Sequence, residues 1–224
     1  MGKTLFDGCI FDLDGVIVDT ARYHFLSWNK LARNLGFEIT EEDNEQLKGI
    51  SREDSLEIIL KLGNYTLAHK EKLKCLKSKN DYYLEYIQKL TSKDALPGVE
   101  DLLIELNNKS LKVALGSASK NARGIIDKLD LTKHFHAVVD GTDVKKSKPD
   151  PEVFLTGAQL LQIDPKRLVV FEDAQKGIAA AKTAGCVTVG VGDPKALPDA
   201  DINIETFKNY TVNDLIRGVS ELAL

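Results

Sequence analysis

Acidic side chains follow two apolar segments that have the composition of buried strands. Asp12 and Asp14 come after the first segment, and Glu172 and Asp173 come after a second one much later in the chain. A single Asp at a strand end is ordinarily a turn former or a helix cap. Several carboxylates in one cleft repel one another, however, and a divalent cation relieves that repulsion. Mg²⁺ prefers all-oxygen sites, so the set predicts a magnesium site.

Hydroxyl and cationic side chains follow other predicted strands. Ser117 and Ser119 precede a predicted helix, whose N-terminus favours an anion, and Ser119 is also a candidate N-cap. Lys148 precedes Pro149, and proline favours extended backbone in the residue before it. This conformation directs the Lys148 ammonium along the strand end, where it can balance a phosphate or a metal-bound carboxylate. A carboxylate nucleophile beside Mg²⁺, with a second Asp as general acid and base, indicates phosphoryl transfer.

Alternating strands and helices must position these residues. Short apolar strands are predicted at 8–11, 111–115, 137–139, 168–171 and 187–191, with a last one near Ile202. Helices are predicted at 99–106, 122–129, 175–184 and 212–222. Another is predicted to begin at Asp150-Pro151, with Asp150 as its N-cap and Pro151 at the first helical position. Uniformly apolar strands are typical of a parallel sheet that is covered on both faces. Ligands bind outside the carboxyl ends of the strands of such a sheet.

The stretch from Thr20 to about Leu90 has helical periodicity throughout. Gly36 is expected to end its first helix, and Thr40 and Ser51 are expected to begin two further helices. We therefore predict an α/β core that is interrupted after its first strand by a helical insertion. Because the insertion leaves from the ligand-binding edge of the sheet, we expect it to cover the site as a cap.

Composition excludes several classes of protein. The 224 residues are 43% hydrophobic and 29% charged, which excludes wholesale disorder and suggests one domain, or one domain with an insertion. A net charge of -4 argues against a nucleic-acid partner, and the absence of a long apolar stretch argues against a membrane span. Charge comes too early for a signal peptide. The three isolated cysteines cannot all pair, and none shows metal-ligand spacing. We therefore expect a cytoplasmic protein.

Four segments in the expected order resemble the motifs of the haloacid dehalogenase superfamily. The segment 11–16 (FDLDGV) resembles the first motif, DxDGx(V/T). Ser117, Lys148 and the pair Glu172-Asp173 lie where the second, third and fourth motifs belong. The resemblance covers nearly the whole chain. It implies a Rossmann-like parallel sheet core with an inserted α-helical cap domain.

Within that superfamily the chain resembles the β-phosphoglucomutases. The segments that carry this resemblance are 14–24 with Trp28, 47–55, 79–82 and 117–121. The resemblance implies that residues 1–16 and 93–224 form the core and that residues 17–92 form the cap.

The resemblance also implies a role for each matching position. Asp12 resembles the nucleophile that is phosphorylated, and Asp14 resembles the general acid and base. The implied metal ligands for Mg²⁺ are Asp12, Asp14 through its carbonyl, Glu172 and Asp173.

The resemblance implies that a further set of residues binds the substrate. Those for the transferring phosphoryl group are Ser117, Ala118 and Lys148, and those for a second, distal phosphate are Arg52, Ser119 and Asn121. Those implied on the cap side are Thr20, as a hinge that orients Asp14, and His24, Trp28, Lys48, Gly49 and Lys79. Without the resemblance, packing would be the ordinary explanation for His24 and Trp28, and a solvated surface charge for Arg52 and Lys79.

The implied reaction interconverts β-D-glucose 1-phosphate and glucose 6-phosphate through an aspartyl phosphate and β-glucose 1,6-bisphosphate. One alternative is a sugar-phosphate phosphatase of the same superfamily, and another is a phospho-accepting signalling domain. An anion clamp at 48–52 favours the mutase, and a seventy-residue insertion argues against a signalling domain. The expected partner is a small-molecule sugar phosphate, without nucleic acid or membrane, and the expected state is a monomer.

Overall fold

Six parallel strands form one sheet in the computed structural model, which describes residues 5–47 and 50–222. They are β1 (Gly8–Phe11), β2 (Lys112–Gly116), β3 (Ala137–Val139), β4 (Leu168–Glu172), β5 (Val187–Val191) and β6 (Ile202–Ile204). Their order across the sheet is β3-β2-β1-β4-β5-β6. Central β1 pairs Phe11 with Leu115 on one side and with Phe171 on the other. The predicted parallel α/β sheet is confirmed.

Helices connect the strands, and those after residue 98 cover the two faces of the sheet. They are α1 (Ala21–Asn34), α2 (Glu41–Glu45), α3 (Arg52–Leu62), α4 (His69–Ile87), α5 (Val99–Asn108), α6 (Ala122–Lys128), α7 (Glu152–Leu161), α8 (Gln175–Ala184) and α9 (Val212–Glu221). Within the described ranges, none of these helices is long and apolar enough to cross a bilayer.

The sheet has an apolar core on each face. One core contains Phe11 and Phe171, whose rings stack with centroids 4.5 Å apart, together with side chains from α5, α6 and α9. Such a ring pair contributes about 0.5–1.5 kcal/mol beyond its burial. The other core contains Ile10 and Phe154 with side chains of α7 and α8. Two buried faces explain why the strands are apolar without alternation.

The helices α1 to α4 lie between β1 and β2 in the chain, and α1, α3 and α4 share an apolar cluster of their own. Trp28 and Leu31 of α1 pack there with Ile59 and Leu60 of α3. Two of the predicted helix starts are confirmed by N-cap contacts. The Thr40 hydroxyl accepts a hydrogen bond from the backbone of Asp43, and the Ser51 hydroxyl accepts one from that of Asp54.

Two predicted N-caps are wrong by one or two residues. Helix α6 begins at Ala122 as predicted, but Asn121 rather than Ser119 is its N-cap, and the Ser119 hydroxyl accepts the backbone N–H of Asn121. The helix predicted to begin with Asp150 as its N-cap begins after Pro151, which already has φ -74° and ψ -1°. Asp150 still accepts a hydrogen bond from the backbone of Glu152 at 3.1 Å, so its capping contact is retained.

Candidate active site

The carboxyl edge of the sheet brings the predicted residues together. Asp12 directly follows β1, and its backbone N–H donates to the carbonyl of Phe171 at 3.0 Å. Ser117 directly follows β2, and its backbone N–H donates to the carbonyl of Val139 at 3.0 Å. Glu172 ends β4. Because parallel strands end at the same edge, side chains that are far apart in the sequence meet here.

Lys148 joins two of the carboxylates below the site. Its Nζ lies 2.6 Å from Asp12 Oδ1 and also donates to Glu172 Oε1, and its side chain is 0% exposed. Burial alone would lower the pKa of Lys148, but the charges of Asp12 and Glu172 outweigh burial and raise it above its usual value. The ammonium therefore stays charged and holds the Asp12 carboxylate in one position.

Three carboxylates form a candidate metal centre. One oxygen from each of Asp12, Glu172 and Asp173 lies within 4.8 Å of the others in the described part of the chain. Burial raises the pKa of Glu172 to about 7, although the Lys148 ammonium opposes that shift. Three convergent oxygen donors fit a hard divalent cation. Such a cation would also neutralise the negative charge of the carboxylates that the Lys148 ammonium alone does not balance.

Two side chains lie against the carboxyl group of Asp14. The Thr20 hydroxyl donates a hydrogen bond to Asp14 Oδ1, and His24 Nε2 lies 3.8 Å from the same oxygen. Burial, with a smaller contribution from the charge of Asp12, raises the pKa of Asp14 to about 7. A carboxyl group with a pKa near neutrality can both accept and return a proton, as a general acid and base must.

Gly15 allows the first acidic segment to approach the second. Its φ is +76°, and a Cβ built on it would lie 2.2 Å from Asp173 Oδ2. A side chain at this position would collide with a carboxylate of the metal centre and would also strain the backbone. This contact explains why glycine follows Asp14.

A buried cation from α4 faces the site. Lys79 is 1% exposed, and its Nζ lies 3.0 Å from His24 Nδ1 and 4.9 Å from the centre of the Trp28 ring. Burial, with the charge of Arg52, lowers the pKa of Lys79 to about 7, while Asp14 opposes the shift. Burial and the charge of Lys79 also lower the pKa of His24 well below its usual value. A neutral His24 therefore lies between Lys79 and Asp14.

The loop after β2 forms the opposite wall. Within it, the backbone N–H of Ser119 donates to the Ser117 hydroxyl at 3.0 Å. The N–H of Gly141 donates to the carbonyl of Ser119 at 3.2 Å. A Cβ on Gly141 would lie 2.3 Å from the carbonyl oxygen of Ala118. The backbone at Gly141 thus packs directly against residues 118 and 119 of the loop and supports their position.

One cavity collects most of the predicted site residues. It is lined by Asp12, Asp14, His24, Trp28, Arg52, Lys79, Ser117, Ala118, Ser119, Asn121 and Asp173. Thr20, Lys148 and Glu172 are buried and do not line this cavity. Thr20 donates to Asp14, and Lys148 donates to both Asp12 and Glu172. The predicted Lys48 and Gly49 lie outside the described residues.

Comparisons with known proteins identify the family. The family model for haloacid dehalogenase-like hydrolases matches residues 9–191. The chain belongs to the haloacid dehalogenase-like hydrolase family. This membership confirms the resemblance of the four motifs, and it implies an enzyme that uses a divalent metal, for which the acidic cluster supplies the donors.

Similar members of the haloacid dehalogenase-like hydrolase family include a mutase and a phosphatase. The Bacillus subtilis protein named β-phosphoglucomutase is 45% identical over 207 residues, which are 91% of this chain and 91% of that protein. A Thermotoga maritima protein named phosphorylated carbohydrates phosphatase is 31% identical over 202 residues, which are 87% of this chain and 91% of that one. A crystal structure of β-phosphoglucomutase from Clostridium difficile has a TM-score of 0.94 and 39% identity over 97% of this chain and 99% of that one.

The site of this haloacid dehalogenase-like hydrolase also contains residues that sequence reasoning missed. Lys120 lines the cavity beside Ser119, and Asn44 lines it from α2. Tyr83 is buried with its ring centre 4.3 Å from that of His24, and burial together with Asp14 raises the pKa of Tyr83 well above its usual value. Tyr83 lies four residues after Lys79, and this spacing in the sequence indicates that both side chains face the same side of α4.

Proposed function

We propose that this enzyme is a β-phosphoglucomutase, which interconverts β-D-glucose 1-phosphate and glucose 6-phosphate. The observation that carries this proposal is one cavity whose lining includes both Asp12 and Arg52. Lys148 contacts Asp12, and Arg52 contributes a second cation from the helical segment. A bisphosphorylated sugar needs a binding group for each of its two phosphates. The names of the Bacillus subtilis and Clostridium difficile proteins agree with this function.

The chemistry begins with a phosphoryl group on Asp12. A free sugar hydroxyl attacks phosphorus, the bond from phosphorus to the Asp12 oxygen breaks, and its electron pair returns to the carboxylate. Asp14 takes the proton of the attacking hydroxyl. The product is β-glucose 1,6-bisphosphate. The Thr20 hydrogen bond holds Asp14 in place for this step, and its pKa of about 7 suits proton transfer in both directions.

The second transfer reverses the first with the other phosphate. The bisphosphate turns over in the cavity, Asp12 attacks the second phosphorus, and Asp14 returns its proton to the leaving sugar oxygen. Ser117, the backbone at Ala118 and Lys148 bind the transferring phosphoryl group. When bound, Mg²⁺ would screen the Asp12 carboxylate from the anionic phosphate and lower the barrier to attack. We assign it to Asp12, the carbonyl of Asp14, Glu172 and Asp173.

The distal phosphate is assigned to residues on both sides of the cavity. Arg52 approaches from α3, and Ser119 and Asn121 approach from the loop after β2. The cap-side pocket is assigned to Thr20, His24, Trp28, Lys48, Gly49 and Lys79. The guanidinium can bind two phosphate oxygens at once, which suits an intermediate that must be held while its ends exchange.

Residues 17–92 are assigned as the cap over a core of residues 1–16 and 93–224. The separate apolar cluster of α1 and α3 supports this division, because the helical segment buries its own side chains. A closed cap would exclude water from phosphorylated Asp12.

The monomeric state, the cytoplasmic location and the absence of a nucleic-acid partner stay predictions. The net charge of -4 supports the absence of a nucleic-acid partner.

A single incubation tests the proposed function against the phosphatase alternative. The protein is mixed with Mg²⁺, β-glucose 1-phosphate and a trace of β-glucose 1,6-bisphosphate. Formation of glucose 6-phosphate with little free phosphate is the expected result. Rapid release of phosphate without glucose 6-phosphate would instead assign a phosphatase, for which water is the acceptor.

A further inference from the structure

The first turn of α3 contacts two loops of the predicted core. Glu53 Oε1 lies 2.5 Å from Lys120 Nζ in the loop after β2. Asp54 Oδ2 accepts a hydrogen bond from the Ser147 hydroxyl at 2.5 Å, in the loop before α7. These contacts join residues that are 67 and 93 positions apart in the sequence. They therefore fix how α3 sits on the core.

The contact between Glu53 and Lys120 lies at the rim of the cavity. Lys120 lines the cavity, and both side chains are partly exposed, at 38% for Lys120 and 48% for Glu53. The Lys120 ammonium lowers the pKa of Glu53 against the opposing effect of burial, so the carboxylate is ionised near neutral pH. Glu53 directly follows Arg52, so docking of Glu53 also places the Arg52 backbone beside the cavity.

The contact between Asp54 and Ser147 is independent of the substrate pocket. Neither residue lines the cavity. Ser147 directly precedes Lys148, which holds Asp12. The Ser51 hydroxyl accepts the Asp54 N–H whether or not Ser147 is present, so loss of the Ser147 hydroxyl would leave the start of α3 capped. This hydrogen bond can therefore be removed without disturbing the helix that it docks.

We propose that Glu53 and Asp54 are positioning residues that dock α3 on the core and so determine whether phosphorylated Asp12 transfers its phosphoryl group to sugar or to water. This inference rests on the proposed mutase function. Docked α3 presents Arg52 to the distal phosphate of the sugar and narrows the opening through which water enters. Both effects favour the sugar hydroxyl as the acceptor.

The competing reaction differs from mutase turnover only in its acceptor. A water oxygen bonds to phosphorus, and the bond from phosphorus to the Asp12 oxygen breaks with its electron pair returning to the carboxylate. The water proton passes to Asp14, and inorganic phosphate leaves. The quantity that reports docking is therefore the ratio of glucose 6-phosphate formed to phosphate released.

Each contact is expected to change this ratio modestly. Partly exposed ion pairs and hydrogen bonds of this kind change an equilibrium by about two- to fivefold. Glu53→Gln and Ser147→Ala are each expected to lower the ratio by about that factor when β-glucose 1-phosphate is well below saturation. The KM for β-glucose 1-phosphate should rise by a similar factor, while kcat stays within about twofold. The reason is that bound substrate stabilises the docked position of α3 when the enzyme is saturated.

Two controls separate docking from general damage to the fold. Glu57 lies one turn further along α3 and pairs with Lys72 of α4 at 2.7 Å, so Glu57→Gln changes a contact between two helices of the helical segment. This variant should keep the wild-type ratio. In an Asp54→Ala background, Ser147→Ala should cause no further loss, because its partner is already gone.

The outcomes distinguish this inference from the function on which it rests. A lowered ratio in Glu53→Gln and Ser147→Ala, with Glu57→Gln unchanged, supports docking. An unchanged ratio in both variants overturns the inference and leaves the mutase function intact. A parallel loss of isomerisation and phosphate release also overturns it, because that pattern means damage to the catalytic centre. If wild-type protein forms no glucose 6-phosphate, the mutase function itself fails.

Discussion

Replacement of Lys148 by Met tests the charge balance below the active site. Lys148 is fully buried and contacts the carboxylates of Asp12 and Glu172. Met keeps most of the volume of the lysine stem, but it removes the ammonium, whose Nζ lies 4.9 Å from the centre of the Phe154 ring. Removal of one partner from a buried ion pair costs about 3–5 kcal/mol, because the remaining charge has no partner. Lys148→Met should therefore lose about that much free energy of unfolding.

The assay is urea unfolding of Lys148→Met and wild type in EDTA and again in Mg²⁺. Mg²⁺ should recover part of the loss, because a bound cation would replace the missing positive charge beside the carboxylates. Lys146→Met is the matched control. Lys146 is 71% exposed and pairs with Asp150 at 3.2 Å, so its replacement should cost at most about 1 kcal/mol. Equal stability losses in the two variants would refute the charge balance described for this site.

Three further predictions concern the phosphate sites and the metal. Arg52→Ala should leave phosphorylation of Asp12 intact and slow isomerisation by about 10- to 100-fold, the value of a charge-assisted contact; equal loss in the two assays would contradict its distal role. Gly141→Ala should raise the KM for sugar phosphate, because its Cβ would lie 2.3 Å from the Ala118 carbonyl oxygen; an unchanged KM would argue against support of that loop. EDTA should abolish isomerisation and Mg²⁺ should restore it, whereas activity that persists in EDTA would contradict the metal assignment.

The fold was largely predictable because its signals are local. The apolar segment that ends at Phe11 and the capping residues Thr40 and Ser51 each carry a pattern within a few residues. The order of these elements then required a parallel sheet, whose carboxyl edge collects polar side chains. This is why the sequence alone places Asp12 and Glu172 at the same edge of the sheet.

Contacts between distant segments were not predictable in this way. Nothing near Glu53 in the sequence indicates that it meets Lys120, because an ion pair across two loops leaves no periodic pattern. Tyr83 was missed because a tyrosine on an amphipathic helix ordinarily packs in a core. Ser119 was a reasonable N-cap, but its hydroxyl accepts the N–H of Asn121 within the loop, and the helix begins after Asn121.

The most direct test of the mechanism is to locate the phosphoryl group on the protein. The enzyme is mixed with Mg²⁺ and β-glucose 1,6-bisphosphate, quenched in acid within a turnover and digested for mass spectrometry. The mechanism predicts an acyl phosphate on Asp12 in wild type and none in Asp12→Asn, which should also lack isomerisation. Phosphate on a different residue, or full isomerisation by Asp12→Asn, would contradict nucleophilic catalysis by Asp12.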